Sequence, residues 1–319
     1  MKQEQALECS LEHPDYLVIA GSKLYGTDTP ESDHDLRGLV VPPFEYLIGL
    51  SRFDQRVIRK PDTVIYSIGR TFELLIKGDP LLYEILFAPK PNIAECTNVG
   101  KILRHNRKLF ASEQFARRIM GYAQSEWRKV TGTQLVPIKR TTTENQIIEN
   151  IRKVFRPNKT EMDKLIHLLF INRPKETQPA RRKLGAKRKL QIKHYGYCTS
   201  SASHTIRLLG QLKELTETGG LTFPRPNAKL LLEIKRGTIK LEKVTEIYRE
   251  LLYEAQQTES KTNLPRRAPI NKIKNIFYEI IAATITQDKR VSDYIQAYNK
   301  KWGQSINFDK IISSVVGIK

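Results

Sequence analysis

The hydrophobic positions follow two periods. Near the start, short apolar runs are separated by polar segments. Tyr16–Ala20 (YLVIA) reads as a buried strand, and so does Leu36–Val41, interrupted by Arg37 and Gly38 and ended by Pro42-Pro43. Asp62–Ser67 (DTVIYS), rich in β-branched and aromatic residues, is a third. Residues 1–15 are expected to form a short helix feeding the first strand, and residues 44–61 hold FEYLIGL and a charged stretch, RFDQRVIRK, up to Pro61. From Ile68 the period changes. Phe72, Leu75 and Ile76 fall on one helical face, Gly78-Asp79-Pro80 stops that helix, and Leu81–Phe87 forms a second, short one. Beyond Asn92 the pattern is helical: Lys101–Leu109, Glu113–Val130, 144–154, 160–171, Ser200–Glu217, Lys240–Glu254 and Asn271–Ile285. Residues 131–143 read as a loop, and Trp302 belongs to an expected terminal helix with a short extension.

A chain of 319 residues suits two domains, expected at 1–90 and 91–319, and can bury a sizeable core. Charge changes the picture more than length does. Lys and Arg number 54 against 34 Asp and Glu, a formal +20, which favours polyanionic partners and nucleic acid first. The bias peaks in Arg173–Lys193, with nine basic residues against one acidic. This segment reads as a mobile loop or arm: either a nucleic-acid contact through Arg181, Arg182, Lys183, Lys187, Arg188 and Lys189, or a solvated insertion. Cys9, Cys96 and Cys198 lie far apart, without zinc-ligand spacing, and their odd number speaks against a disulfide framework. No signal peptide and no apolar run of membrane-spanning length is present, so the expected setting is cytoplasmic, reducing and away from membranes.

The chemistry concentrates in Gly21–Gly38, GSKLYGTDTPESDHDLRG, which joins the first two strands. Side chains alternate along a strand, so Asp33, Asp35 and Arg37 share a face, with the two carboxylates about 7 Å apart. Paired carboxylates at that spacing suit hard divalent cations. Gly21 permits close backbone approach to a ligand, and Ser22 adds a hydroxyl beside its own N–H. Gly21 and Gly26 have P-loop spacing, but Thr27-Asp28 follow in place of Lys-Ser/Thr. Asp62 heads the third strand, where by itself it reads as an N-terminal strand cap or a turn residue after Pro61.

Gly-Ser followed by Ser-Asp-x-Asp-x-Arg-Gly resembles the DNA polymerase β-type nucleotidyltransferase superfamily. The fuller string GSxxYGTxTPxSDxDxRG is similar to one phage and bacterial branch of it, the predicted nucleotidyltransferases. The resemblance is dense at 16–41 and 193–237, moderate at 62–87 and 115–131, and absent at about 132–192 and after 286. It implies an α+β fold: a small catalytic domain with a mixed sheet and flanking helices, then a mostly helical domain, with the site in the cleft between. It also implies transfer of a nucleoside monophosphate from an NTP to an acceptor hydroxyl with release of pyrophosphate. Asp33 and Asp35 would hold two Mg²⁺ (or Mn²⁺) ions, with Asp62 as the candidate third carboxylate. Gly21 and Ser22 would hold the triphosphate, with Tyr25 of the same string also binding nucleotide. Arg37, His204 and Arg207 would neutralise phosphate charge.

Asp79-Pro80 and Glu84 stand where the family commonly has Asn-Pro and then Glu. Glu84 reads as an exposed helical residue or as a group behind the site. The family usually has Lys four residues before the His of its C-terminal block and an acidic residue two before that Lys. Ser200 and Cys198 occupy those places here. The acceptor favoured by the charge is RNA, in the manner of a tRNA end. The alternatives are nucleotidylation of a protein partner, as by antitoxin-like relatives, and a non-catalytic nucleic-acid binder with a decayed site.

Overall fold

A computed structural model describes residues 3–30, 32–47, 51–131, 133–137, 142–158, 175–179 and 185–287, with 161, 162, 165, 166, 169 and 300 besides. The expected terminal helix around Trp302, most of the helix expected at 160–171, and Arg181, Arg182 and Lys183 lie outside those residues.

The N-terminal part is a mixed sheet with helices packed on it. In chain order it comprises α1 (Gln3–Glu12), β1 (Tyr16–Ile19), α2 (Gly21–Tyr25), β2 (Leu36–Val40), α3 (Phe44–Leu47), β3 (Gln55–Arg59), β4 (Asp62–Ser67), α4 (Ile68–Lys77), α5 (Pro80–Leu86) and β5 (Ile93–Cys96). The strand order is β3-β4-β2-β1-β5. β2 and β4 are parallel, and the remaining pairs are antiparallel. Helices then dominate: α6 (Asn98–His105), α7 (Glu113–Trp127), Thr199–Thr218, Ala228–Arg236, Leu241–Ser260 and Ile270–Gln287. This is the α+β architecture expected of a polymerase β-like chain.

Local chemistry explains the elements that carry the site. Ser67 caps α4 by accepting from the Arg70 N–H, and Asp79 caps α5 by accepting from the Leu82 N–H at 3.0 Å, with Pro80 in the first turn. The core beneath the sheet gathers Tyr16 and Val18 of β1, Leu39 of β2, Ile68, Phe72 and Leu75 of α4, and Leu82, Ile85 and Leu86 of α5. Leu208, Leu209 and Leu212 of the helix Thr199–Thr218 join the same core. The C-terminal block is therefore packed into the sheet domain.

Contacts divide the chain into two compact units, 1–124 with 203–319, and 125–202. The second contains the antiparallel pair β6 (Thr133–Pro137) and β7 (Lys175–Pro179), the helix Thr142–Phe155 and the helix Ala186–Tyr195.

Four sequence expectations change. The charged stretch after residue 51 contains β3, which pairs antiparallel with β4. As an edge strand it exposes most of its side chains, so its charges hid the pattern. The loop expected at 131–143 contains β6, paired with a strand about forty residues away that local reading could not supply. The arm at 173–193 is neither uniform nor irregular where described: it holds β7 and a helix of strong helix formers. Glu84 is buried, not exposed.

Candidate active site

The first strand ends against the carboxylate segment. Ile19 pairs with Leu36, and the Ala20 N–H donates to the Asp35 carbonyl at 2.8 Å. The chain then turns sharply into α2. Gly21 has φ of +61°, and a Cβ built there would stand 1.9 Å from Oδ2 of Asp35. Only glycine lets the turn and the carboxylate touch. At the other end of α2, Gly26 caps with φ of +71° and the Thr27 N–H returns to the Ser22 carbonyl at 2.9 Å. Gly21→Ala is expected to lose transfer and to destabilise the protein by about 1–2 kcal/mol for the left-handed backbone alone. Thermal unfolding and initial rates measured on one preparation check both effects.

Asp33 is exposed, whereas Asp35 and Arg37 are half-buried. The parallel register of β2 and β4 pairs Leu36 with Thr63, which sets Asp62 beside Asp35. The Arg37 guanidinium fastens this corner. Its Nη2 donates to Oδ2 of Asp62 at 2.8 Å, and its Nη1 donates to the carbonyls of Asp62 (2.9 Å) and Leu36 (2.8 Å). Burial pushes the Asp35 carboxyl above the usual range; Arg37 pulls it back, while Asp62 and Asp33 raise it further, and Asp62 is also in hydrogen-bonding contact with it. Asp35 thus has Asp62 beside it and Asp33 within electrostatic reach.

Among the described residues, no three His, Cys, Asp or Glu side chains are grouped so as to hold a metal ion as they stand. One oxygen of Asp62 is taken up by Arg37. The residues nonetheless fit a hard divalent cation in kind. All three donors are carboxylates, and the burial that chiefly raises Asp35, with the smaller repulsion from Asp62 and Asp33, disfavours a charge that a cation would stabilise.

The burial of Asp35 also bears on stability. Because folding raises Asp35, the stability linked to it is complete below about pH 4 and is lost as pH rises through the raised value. In chelator at pH 7, Asp35→Asn is therefore expected to melt above the wild type. The gap should close on acidification below about pH 4.

Behind the turn lies a buried polar cluster. The Tyr25 hydroxyl donates to Oε2 of Glu84 at 2.6 Å, and Arg207 Nη1 donates to the other oxygen of Glu84. Arg207 also donates to Oε1 of Gln211 at 3.0 Å, and its guanidinium carbon stands 3.9 Å from the centroid of the Tyr25 ring. Glu84 and Arg207 are 2% and 8% exposed. Burial pulls Arg207 down, but Glu84 and Tyr25 outweigh it, so the guanidinium ends above its ordinary value and stays charged. Burial pushes the Tyr25 phenol well up; Arg207 opposes this, while Glu84 and Asp35 add to it.

His204, one turn before Arg207, is half-buried and meets the exposed Tyr122 ring edge to face, 5.2 Å between centroids. Sequence reasoning places Tyr25, His204 and Arg207 near nucleotide and allows Glu84 behind the site, but does not show Glu84 as the shared partner of Tyr25 and Arg207, or Gln211 as a partner of Arg207. A signal for Glu84 was present. One carboxylate inside an otherwise apolar run, LLYEILF, can be buried only if it is paired.

The two positions that depart from the family pattern lie in the unit 125–202. There Gln191 Nε2 donates to Ser200 Oγ at 2.7 Å, and Cys198 Sγ is 3.2 Å from Oε1 of the same Gln191. A neutral network occupies the places of the usual Lys and acid. Lys187, Arg188 and Lys189 lie on the helix Ala186–Tyr195 of this unit, with both lysines exposed. Cys9, Cys96 and Cys198 are free thiols, and among the described residues no helix is long and apolar enough to cross a membrane.

The sequence profile of the RNA repair pathway DNA polymerase beta family (RlaP) matches residues 15–300. An uncharacterized 38.9 kDa protein of the nrdC-mobD intergenic region of Enterobacteria phage T4 is 26% identical over 301 residues, covering 76% of this chain and 89% of the relative. No solved structure matches.

Proposed function

Since the chain belongs to the RNA repair pathway DNA polymerase beta family, we propose that it transfers a nucleoside monophosphate from an NTP to a hydroxyl on RNA, releasing pyrophosphate. The observation that carries this reading is the Asp35 carboxylate, which closes on the glycine turn that ends β1, with Asp62 beside it and Asp33 within electrostatic reach. Residues 1–90 supply these groups, and the rest of the chain is assigned to holding nucleotide and acceptor.

In the proposed reaction the acceptor oxygen attacks the α-phosphorus. The bond to the bridging oxygen of the β-phosphate breaks, pyrophosphate leaves, and the hydroxyl proton passes to one of the three carboxylates. Asp33, Asp35 and Asp62 would hold Mg²⁺ or Mn²⁺. Such ions supply charge neutralisation, a lower pKa for the attacking hydroxyl and stabilisation of the leaving oxygen. Gly21 and Ser22 present backbone N–H and hydroxyl donors to the triphosphate. Arg37 keeps Asp62 beside Asp35, and His204 faces the phosphates. No covalent nucleophile is required. Cys198 is buried among neutral partners, which do not activate a thiol.

RNA is preferred to a protein acceptor because of the net charge and the exposed lysines of the helix Ala186–Tyr195. Arg181, Arg182 and Lys183 are assigned to the same contact, in a cytoplasmic setting. Transfer of label from each α-labelled NTP to total cellular RNA and to total protein tests the assignment. Label in RNA from one NTP supports it. Label in protein alone replaces the acceptor, and label in neither, with no NTP bound, leaves a non-catalytic binder.

A further inference from the structure

Arg207 was expected on sequence grounds to meet nucleotide phosphate, but its surroundings favour another task. It is buried and stays charged, and its charge is balanced at once by Glu84. A guanidinium already paired and covered offers little net charge to a triphosphate. Its flat face lies on Tyr25, and the same Glu84 that receives it also receives the Tyr25 hydroxyl. Tyr25 is thereby gripped at both ring and hydroxyl.

Tyr25 is the last residue of α2, the five-residue helix Gly21–Tyr25. So short a helix cannot hold itself and must be fixed from outside. Its start, Gly21, is in contact with the Asp35 carboxylate. Its end is fixed by Glu84 and Arg207, and by the Arg225 N–H donating to the Tyr25 carbonyl at 3.1 Å. The three side chains come from positions 25, 84 and 207, in three separate stretches of the chain. We infer that Glu84 and Arg207 are positioning residues: they clamp Tyr25, and through it hold the Gly21-Ser22 turn in place against Asp35. The consequence for nucleotide binding rests on the transferase reading; the clamp itself does not.

The test compares amide hydrogen exchange and NTP binding in the wild type, Tyr25→Phe and Arg207→Lys. Lysine keeps a positive charge for Glu84 but has no flat face for Tyr25. Phenylalanine keeps the ring but not the hydroxyl, and serves if the lysine variant fails to fold. The expected result is that amides of Gly21–Thr27 exchange on the order of tenfold faster while those of β4 are unchanged. NTP should bind on the order of tenfold more weakly, without any change in the salt dependence of binding. Unchanged exchange at Gly21–Thr27 in both variants would overturn the inference, whatever happens to NTP. Weaker NTP binding with unchanged exchange and a reduced salt dependence would return Arg207 to the phosphates. A wild type that binds no NTP would sink the transferase reading, and the exchange comparison would still decide the clamp.

Discussion

Replacing Asp33 and Asp35 together by alanine is expected to abolish nucleotidyl transfer, by on the order of 10³-fold or more, while leaving the fold intact. The size follows from where charge appears. A pentavalent phosphorus and a departing pyrophosphate concentrate negative charge at one point, and the two aspartates are the groups that would bring divalent cations to it. The fold should survive because neither side chain lies in the apolar core. Asp33 is exposed, and Asp35 stands at a corner whose carboxylates repel one another. Circular dichroism and thermal unfolding should therefore resemble the wild type, or improve on it in chelator. Transfer by the double variant at the wild-type rate would remove these carboxylates from the chemistry.

Glu84→Ala should be the most damaging single change to stability. It leaves Arg207 charged, buried and without its carboxylate, and deprives the Tyr25 hydroxyl of its acceptor. Removing one partner of a buried pair costs about 3–5 kcal/mol. Chemical denaturation should show a midpoint shifted by that amount. Replacing both partners, as Glu84→Leu with Arg207→Met, should recover most of the loss, because no unpaired charge remains. It should not recover NTP binding, since Tyr25 is still released. Equal damage from the single and double changes would mean that packing, not charge, sets the cost.

Part of the candidate corner is legible in the sequence because it is local. Gly21, Ser22, Asp33 and Asp35 lie within fifteen residues between two apolar runs. The strand period predicts the two carboxylates on one face, but β2 begins only at Leu36, so both precede the strand, with Asp33 exposed and Asp35 half-buried. Asp62 was only half legible. Its place beside Asp35 depends on the direct parallel pairing of β2 with β4, although β3, which lies between them in the chain, reads as a charged loop. The clamp was less legible still. Glu84 and Arg207 are 123 positions apart, and no local pattern distinguishes a guanidinium bound for a phosphate from one bound for a buried carboxylate. The pair β6 and β7 was missed for a related reason, since each strand acquires its identity from the other. The density of basic residues in 173–193 drew the reading toward an arm, although Lys and Arg are good helix formers and the helix Ala186–Tyr195 uses them so.

The central claim is nucleotidyl transfer, and the position of the label on the nucleotide tests it most directly. The purified protein would be incubated with RNA and Mg²⁺, using ATP, GTP, CTP and UTP labelled in turn at the α- or the γ-phosphate. The account predicts that α label from one of them becomes covalently bound to RNA, that γ label leaves as pyrophosphate, and that the Asp33→Ala, Asp35→Ala double variant does neither. Retention of γ label on the RNA, or release of α label only as free nucleotide, would contradict it. The protein would then be a phosphoryl transferase or a hydrolase.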